Sequence, residues 1–151
     1  MLSKKTKYAL QSLFYLAREY RKGHILISEL AQKEHIPQKF LERILLDLKN
    51  HGVLHSKKGK GGGYSLSKPP KEIILGKVIR LLEGPLAPVS CVSQTAYRKC
   101  EECPDETVCG IRVVMKDVRD AMANILDKTS LADVLERVES LTEKGSLTYF
   151  I

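Results

Sequence analysis

Between two short runs able to form strands, Val53-Leu54-His55-Ser56 and Tyr64-Ser65-Leu66-Ser67, lies Lys57-Lys58-Gly59-Lys60-Gly61-Gly62-Gly63. A tip of glycine and lysine between such runs predicts a β-hairpin. The glycines let the tip approach a sugar-phosphate backbone without steric conflict. Lys57, Lys58 and Lys60 supply charge for phosphates or for a narrow minor groove. A nucleotide-cradling loop would need Gly-Lys-Ser/Thr running into a helix; that sequence is missing, and the flanks read as strands.

The segment ahead of the hairpin reads as three helices. Tyr8, Leu10, Leu13, Phe14, Leu16, Ala17 and Tyr20 recur at helical spacing, with Gly23 as a stop. Ser28 is placed to cap a second helix, Glu29 to about Glu34, with Leu30 and Ala31 facing inward. His35-Ile36-Pro37 breaks the chain, and Pro37 suits the start of a third helix, where its missing N–H would be unpaired anyway. That helix, about Pro37 to Asn50, places Phe40, Leu41, Ile44, Leu45 and Leu48 on an inward stripe and leaves Gln38, Lys39, Glu42, Arg43 and Lys49 outward. Two helices in tight succession predict a helix-turn-helix, whose second helix enters the DNA major groove N-terminus first. Arg43 can donate twice to guanine, Gln38 can pair with adenine, and Glu42 can accept from cytosine N4. The alternative is the solvated face of a core helix. The hairpin that follows makes the pattern a winged helix, with Gln38, Lys39, Glu42, Arg43, Lys57, Lys58, Lys60, Gly61, Gly62 and Tyr64 as the expected DNA-contact set.

Charge agrees with a polyanion partner. Residues 1–80 carry 17 Lys and Arg against 6 Asp and Glu, whereas residues 81–151 carry 8 against 12. A basic half joined to a mildly acidic one suits a nucleic-acid module fused to a sensing or assembly module. With 43% apolar and 28% charged residues, and no stretch near the ~20 apolar residues that span a bilayer, the chain reads as a soluble protein with no membrane partner. No cleavable secretory signal follows the basic start, so a cytoplasmic location is expected. Paired catalytic carboxylates, an activated nucleophile and a dinucleotide fingerprint are all missing from the sequence. His24, His35, His51 and His55 fall in the DNA-binding half, and no enzyme is expected.

All four cysteines fall between positions 91 and 109 as Cys91, Cys100, Cys103 and Cys109, a Cys-x8-Cys-x2-Cys-x5-Cys run. Thiols stay reduced in the cytosol, which favours metal or cluster ligation over a disulfide framework. Soft thiolates select iron-sulfur clusters or zinc, and spacing alone leaves both open. Ile111, Val114, Met115, Val118, Ala121, Met122, Ile125 and Leu126 then form one apolar stripe along a helix of about 27 Å. A small winged helix offers little surface to cover that stripe, so a second subunit is expected there. Residues 74–83 should form the helix linking wing to loop. Ser130 with Asp133 should cap a final helix through about Val138, and alternating Leu147, Tyr149 and Ile151 suggest a packed tail.

His51-Gly52-Val53-Leu54, the Gly61-Gly62-Gly63-Tyr64 wing, Pro69-Pro70, Ile73 to Val78 and Leu82-Glu83-Gly84-Pro85 occur in an order that resembles the IscR/NsrR/CymR family of bacterial winged-helix regulators. The resemblance runs from Lys4-Tyr8-Ala9-Leu10 to Thr129-Ser130-Leu131-Ala132-Asp133. It implies a mainly α fold with a small β-hairpin wing: a winged helix-turn-helix at 1–84, a cysteine-containing sensor loop at 85–108, and a dimerisation helix with C-terminal region at 109–151. It also implies a homodimeric transcription factor that reads a palindromic operator in double-stranded DNA. In many members, cysteines hold an iron-sulfur cluster sensing iron, oxygen, nitric oxide or redox state. On the family pattern Cys91, Cys103 and Cys109 match best, and Cys100 is either a fourth ligand or an additional thiol. Zinc, or reversible thiol switching without a cluster, is the alternative within the family, and an electron carrier with no DNA role is the remote one. Lys58 and Lys60 stand where the family wing commonly has Arg and Pro, and Pro37-Gln38-Lys39 stands where many relatives have serines, so the operator sequence does not transfer. Glu42 matches the family's Leu-Glu pair after an aromatic.

Overall fold

A computed structural model of the chain describes residues 2–149, with side chains described to residue 145. It is mostly helical: α1 Lys4–Arg18, α2 Ile27–Lys33, α3 Gln38–Asn50, β1 Leu54–Lys57, β2 Gly63–Leu66, α4 Leu75–Glu83, α5 Gly110–Leu126 and α6 Leu131–Tyr149. Short 3-10 turns lie at Pro70–Glu72, Ser90–Val92 and Glu106–Val108. The chain divides into two compact units, one made by residues up to Ile73 together with those from Ser130 onward, the other by Ile74–Thr129.

In the first unit, Ser3 opens α1 by accepting from the Thr6 N–H at 3.2 Å. The helix ends at Arg18, and the chain then turns through positive φ at Arg21 and Gly23. Leu13, Leu30, Leu41, Ile44, Leu45, Leu48, Leu54 and Leu131 are almost completely buried. Full burial of each such side chain stabilises by about 1.5–3 kcal/mol, and here it joins α1, α2, α3, β1 and α6 into one core. The α2–α3 turn places His35 at φ 54°, a left-handed bend that lets the two helices follow in close succession. Two polar ties cross this core's rim. The Tyr15 hydroxyl donates to Glu29 Oε1 at 2.9 Å, and Lys5 Nζ meets Asp47 Oδ2 at 2.6 Å. Burial, then the Glu29 carboxylate, push the Tyr15 hydroxyl up to about 12.

Leu54 pairs with Leu66 and Lys57 with Gly63 in an antiparallel hairpin. Ile25 adds a single bridge to Tyr64 through two 2.8 Å bonds. A Cβ on Gly63 would collide with the Ile25 carbonyl, and one on Gly62 with the carbonyls of Lys57 and Gly59. These two glycines are therefore required by the hairpin's own backbone.

Several expectations need correction. Phe40 is 62% exposed and lies off the core-facing stripe, because Leu41, Ile44, Leu45 and Leu48 already complete it. Helix α2 starts at Ile27 with Leu26 at its cap and no side-chain cap bond, so Ser28 lies inside the helix. Ala31 is only half-buried. Helix α6 runs on past Val138 to Tyr149, so the alternation at Leu147 and Tyr149 falls on helical backbone; Ile151 lies outside the described residues. The cap of α6 is as expected: Asp133 N–H donates to Ser130 Oγ at 3.1 Å and Ser130 N–H to Asp133 Oδ2 at 2.8 Å.

In the second unit, Arg80 of α4 forks onto Asp127, Nη1 to Oδ1 at 2.5 Å and Nη2 to Oδ2 at 2.9 Å, tying α4 to the end of α5. A Cβ at position 76 would strike the Asp127 carboxylate, so a larger residue there would push Asp127 aside from Arg80. Arg119 of α5 donates to the Val92 carbonyl at 2.5 Å, holding the turn that carries Cys91. Among the described residues, no helix is long and apolar enough to cross a membrane.

Candidate nucleic-acid interface and cysteine site

The outward surface of the first unit is basic. Gln38, Lys39, Glu42 and Arg43 are exposed on the first two turns of α3. At 3.6 residues per turn Lys39 and Arg43 run down the middle of the outward face, with Glu42 on one shoulder and Phe40 on the other. Lys57, Lys58, Lys60 and Gly61 are exposed on the hairpin and its tip. Gly62 is buried and Tyr64 half-buried within the hairpin. Of the expected contact set, then, eight residues present themselves to solvent, while Gly62 and Tyr64 shape the hairpin that carries them.

Lys5 was not foreseen at this surface. It lines a cavity of about 370 Å3 with Lys39, Phe40, Arg43 and Ile44. Its bond to Asp47 holds that carboxyl below its ordinary 3.8. Sequence offers one clue to Phe40, whose helical angle falls a quarter-turn away from the centre of the buried stripe.

The cysteines converge in the second unit. Cys91 is buried, Cys103 and Cys109 are half-buried, and Cys100 is exposed. All four border one cavity of about 320 Å3, whose wall also includes Glu106 and Arg112. Cys109 is the N-cap residue of α5. Backbone N–H groups of Arg112 and Ile111 at its sulfur hold the thiol below its ordinary 9.0. Burial, then the neighbouring Cys109, push the Cys103 thiol up. Arg112 Nε is buried with no hydrogen-bond partner among the described residues. Among those residues no three His, Cys, Asp or Glu groups stand close enough together to form a ready-made metal site.

One face of α5 is open. None of its residues is buried, and Ile111, Val113, Val114 and Ile125 are each more than half exposed.

Residues 2–137 match the Rrf2 family, described as an iron-dependent transcriptional regulator. The chain belongs to the Rrf2 family. Like other Rrf2 proteins it is a DNA-binding transcriptional regulator with a winged-helix fold. It is 41% identical to an rrf2-like HTH-type transcriptional regulator of Rhodobacter capsulatus over 138 residues, covering 89% of this chain and 92% of the relative. The solved structure of CymR, the global cysteine regulator of B. subtilis, superposes with a TM-score of 0.76 at 31% identity, over 91% of this chain and 97% of that one. That of IscR from T. potens gives 0.73 at 26% identity, over 93% and 90%.

Proposed function

We propose that this Rrf2 protein is a homodimer that reads a palindromic operator with α3 and the wing and adjusts its affinity through an iron-sulfur cluster held by its cysteines. The observation that carries the sensing half is the convergence of all four cysteines on one cavity at the start of α5. Four soft sulfur donors, with the Cys109 thiol held below its ordinary value, and a buried Arg112 Nε with no hydrogen-bond partner among the described residues suit an anionic, thiolate-ligated group. Cys91, Cys103 and Cys109 would hold it, with Cys100 as fourth ligand or accessory thiol. When bound, such a cluster supplies one-electron chemistry and sensitivity to iron, oxygen and nitric oxide. Ligation requires the 92–108 loop to draw its thiols together, since no three stand within metal-binding reach. Loading therefore changes the loop and the start of α5, and in a dimer joined along α5 it changes the spacing of two recognition helices. Half-sites about 34 Å apart are sensitive to such a change.

In the DNA-reading half, Arg43, Gln38 and Glu42 meet base edges, while Lys39, Lys57, Lys58 and Lys60 meet phosphates. The open apolar face of α5 supports the dimer, because a second copy would cover Ile111, Val114, Val118 and Ile125.

A second reading has its own support. Cys103 and Cys109 border the same cavity and each shifts the other's titration, with the Cys109 thiol held below its ordinary value. Two such thiols can close to a disulfide, giving up two electrons and two protons to a cellular oxidant such as a disulfide or peroxide, without any cluster. Anaerobic purification with visible absorption and analysis of iron, sulfide and zinc separates the two. Iron and sulfide in near-equal amounts are expected. Zinc without sulfide, or neither metal with a thiol titre that falls by two on oxidation, would overturn the cluster.

A further inference from the structure

Phe40 is the anomaly of α3. A large apolar side chain 62% exposed gains nothing from water, and the core beside it is complete without it. It lies in the first turn, within the stretch of a recognition helix that reaches deepest into the major groove. Its surroundings limit what can cover it. Lys5, Lys39 and Arg43 stand around the cavity whose apolar floor is Phe40 and Ile44. No acidic residue lines that cavity among the described residues; Asp47 nearby is bonded to Lys5, and Glu42 stands on the opposite shoulder of the helix. Three cations repel a second copy of the same surface and draw in a polyanion. The apolar element that a major groove offers at its base edges is the 5-methyl group of thymine.

We propose that Phe40 is a specificity-determining residue that packs on a thymine 5-methyl group in each half-site, next to the base pair met by Arg43. Phosphates flanking that thymine are met by Lys5 and Lys39, so the cavity receives the methyl edge with its charge already balanced. Glu42, on the opposite shoulder of α3, rejects bases that present acceptors, and Phe40 admits the one base that presents a methyl. The inference rests on the DNA-reading role proposed for α3.

The test uses the full-length protein and a duplex that it selects from a random pool. Each thymine of a half-site is replaced in turn by deoxyuridine, which removes only the methyl group and keeps every hydrogen-bonding atom. At one position per half-site the wild type should lose about fourfold in affinity, the worth of one buried methyl. Phe40→Ala should bind the thymine duplex more weakly and show no discrimination at that position, while Phe40→Leu should restore part of it. Because Phe40 is exposed, folding should be untouched, as unchanged thermal unfolding of both variants would verify. Equal affinity of the wild type for every uracil duplex, a selected site with no thymine beside the Arg43 base pair, or equal losses by Phe40→Ala on thymine and uracil duplexes would each overturn the inference. If Arg43→Ala still changes base preference in those cases, the role of α3 stands and only Phe40 is reassigned; if the wild type selects no sequence at all, both fall.

Discussion

Arg43 sits in mid-face on α3 with its guanidinium in solvent, presenting a planar fork of donors on a helix whose core side is fixed by Leu41, Ile44 and Leu48. Arg43→Ala should relax preference at one base pair per half-site by about 1–3 kcal/mol without unfolding the protein. Competition among operators that differ by single base pairs checks this, and a uniform loss on specific and random DNA would contradict base readout. Single residues differed widely in how legible they were. Arg43 and Glu42 declared themselves because charged side chains on an amphipathic helix have one place to go. Phe40 did not, because hydrophobicity alone assigns a phenylalanine to the core, and only the completed packing of its four apolar neighbours leaves it outside. Gly62 and Gly63 were legible as hairpin glycines, but their reason is the crowding of carbonyls from Lys57, Gly59 and Ile25, which no sequence pattern displays.

At the scale of elements, the wing and α6 make separate predictions. Lys58→Ala and Lys60→Ala should each weaken binding to all DNA sequences and lower the slope of log affinity against log salt by about one, since each lost phosphate contact releases one fewer counterion. A slope unchanged in both would take the wing out of the interface. Helix α6 starts at a reciprocal cap in which the Ser130 N–H and hydroxyl hold the Asp133 carboxyl below its ordinary 3.8. A carboxyl depressed on folding contributes stability above its unfolded value and loses it as pH falls through the folded value. The melting temperature should therefore drop as pH is lowered below about 4. In Asp133→Asn the drop should be shallower, with Asp47, Asp105 and Asp127 contributing to what remains. An identical pH profile for the variant would remove the cap from the account. The beginning of α6 was legible from Ser130 and Asp133. Its end was not, because after Val138 few apolar residues mark a face and Gly145 looks like a stop, whereas the helix continues through it.

For the whole molecule, the division of charge between a basic first 80 residues and an acidic remainder anticipated two jobs. The compact units do not follow that division: Ile74–Thr129 forms a unit of its own with 8 Lys and Arg against 8 Asp and Glu, and the residues from Ser130 onward join the basic first unit. The return of α6 to pack on α1 was invisible in sequence, since that contact joins the two ends of the chain and leaves no local pattern. The open face of α5 predicts that Val118→Lys converts a dimer to a monomer in sedimentation equilibrium and weakens operator binding, while Cys→Ala variants stay dimeric. A monomeric wild type would contradict that assembly. The central claim is that the state of the cysteine site sets DNA affinity. Its most direct measurement is operator affinity for one anaerobic preparation before and after iron is stripped by a chelator, at fixed salt. Affinity should differ by about 5- to 150-fold between the two states, the span of a coupling of about 1–3 kcal/mol, and single Ala variants of Cys91, Cys103 and Cys109 should match the stripped protein. Equal affinity of loaded and stripped protein, with iron loss verified by absorption, would contradict it.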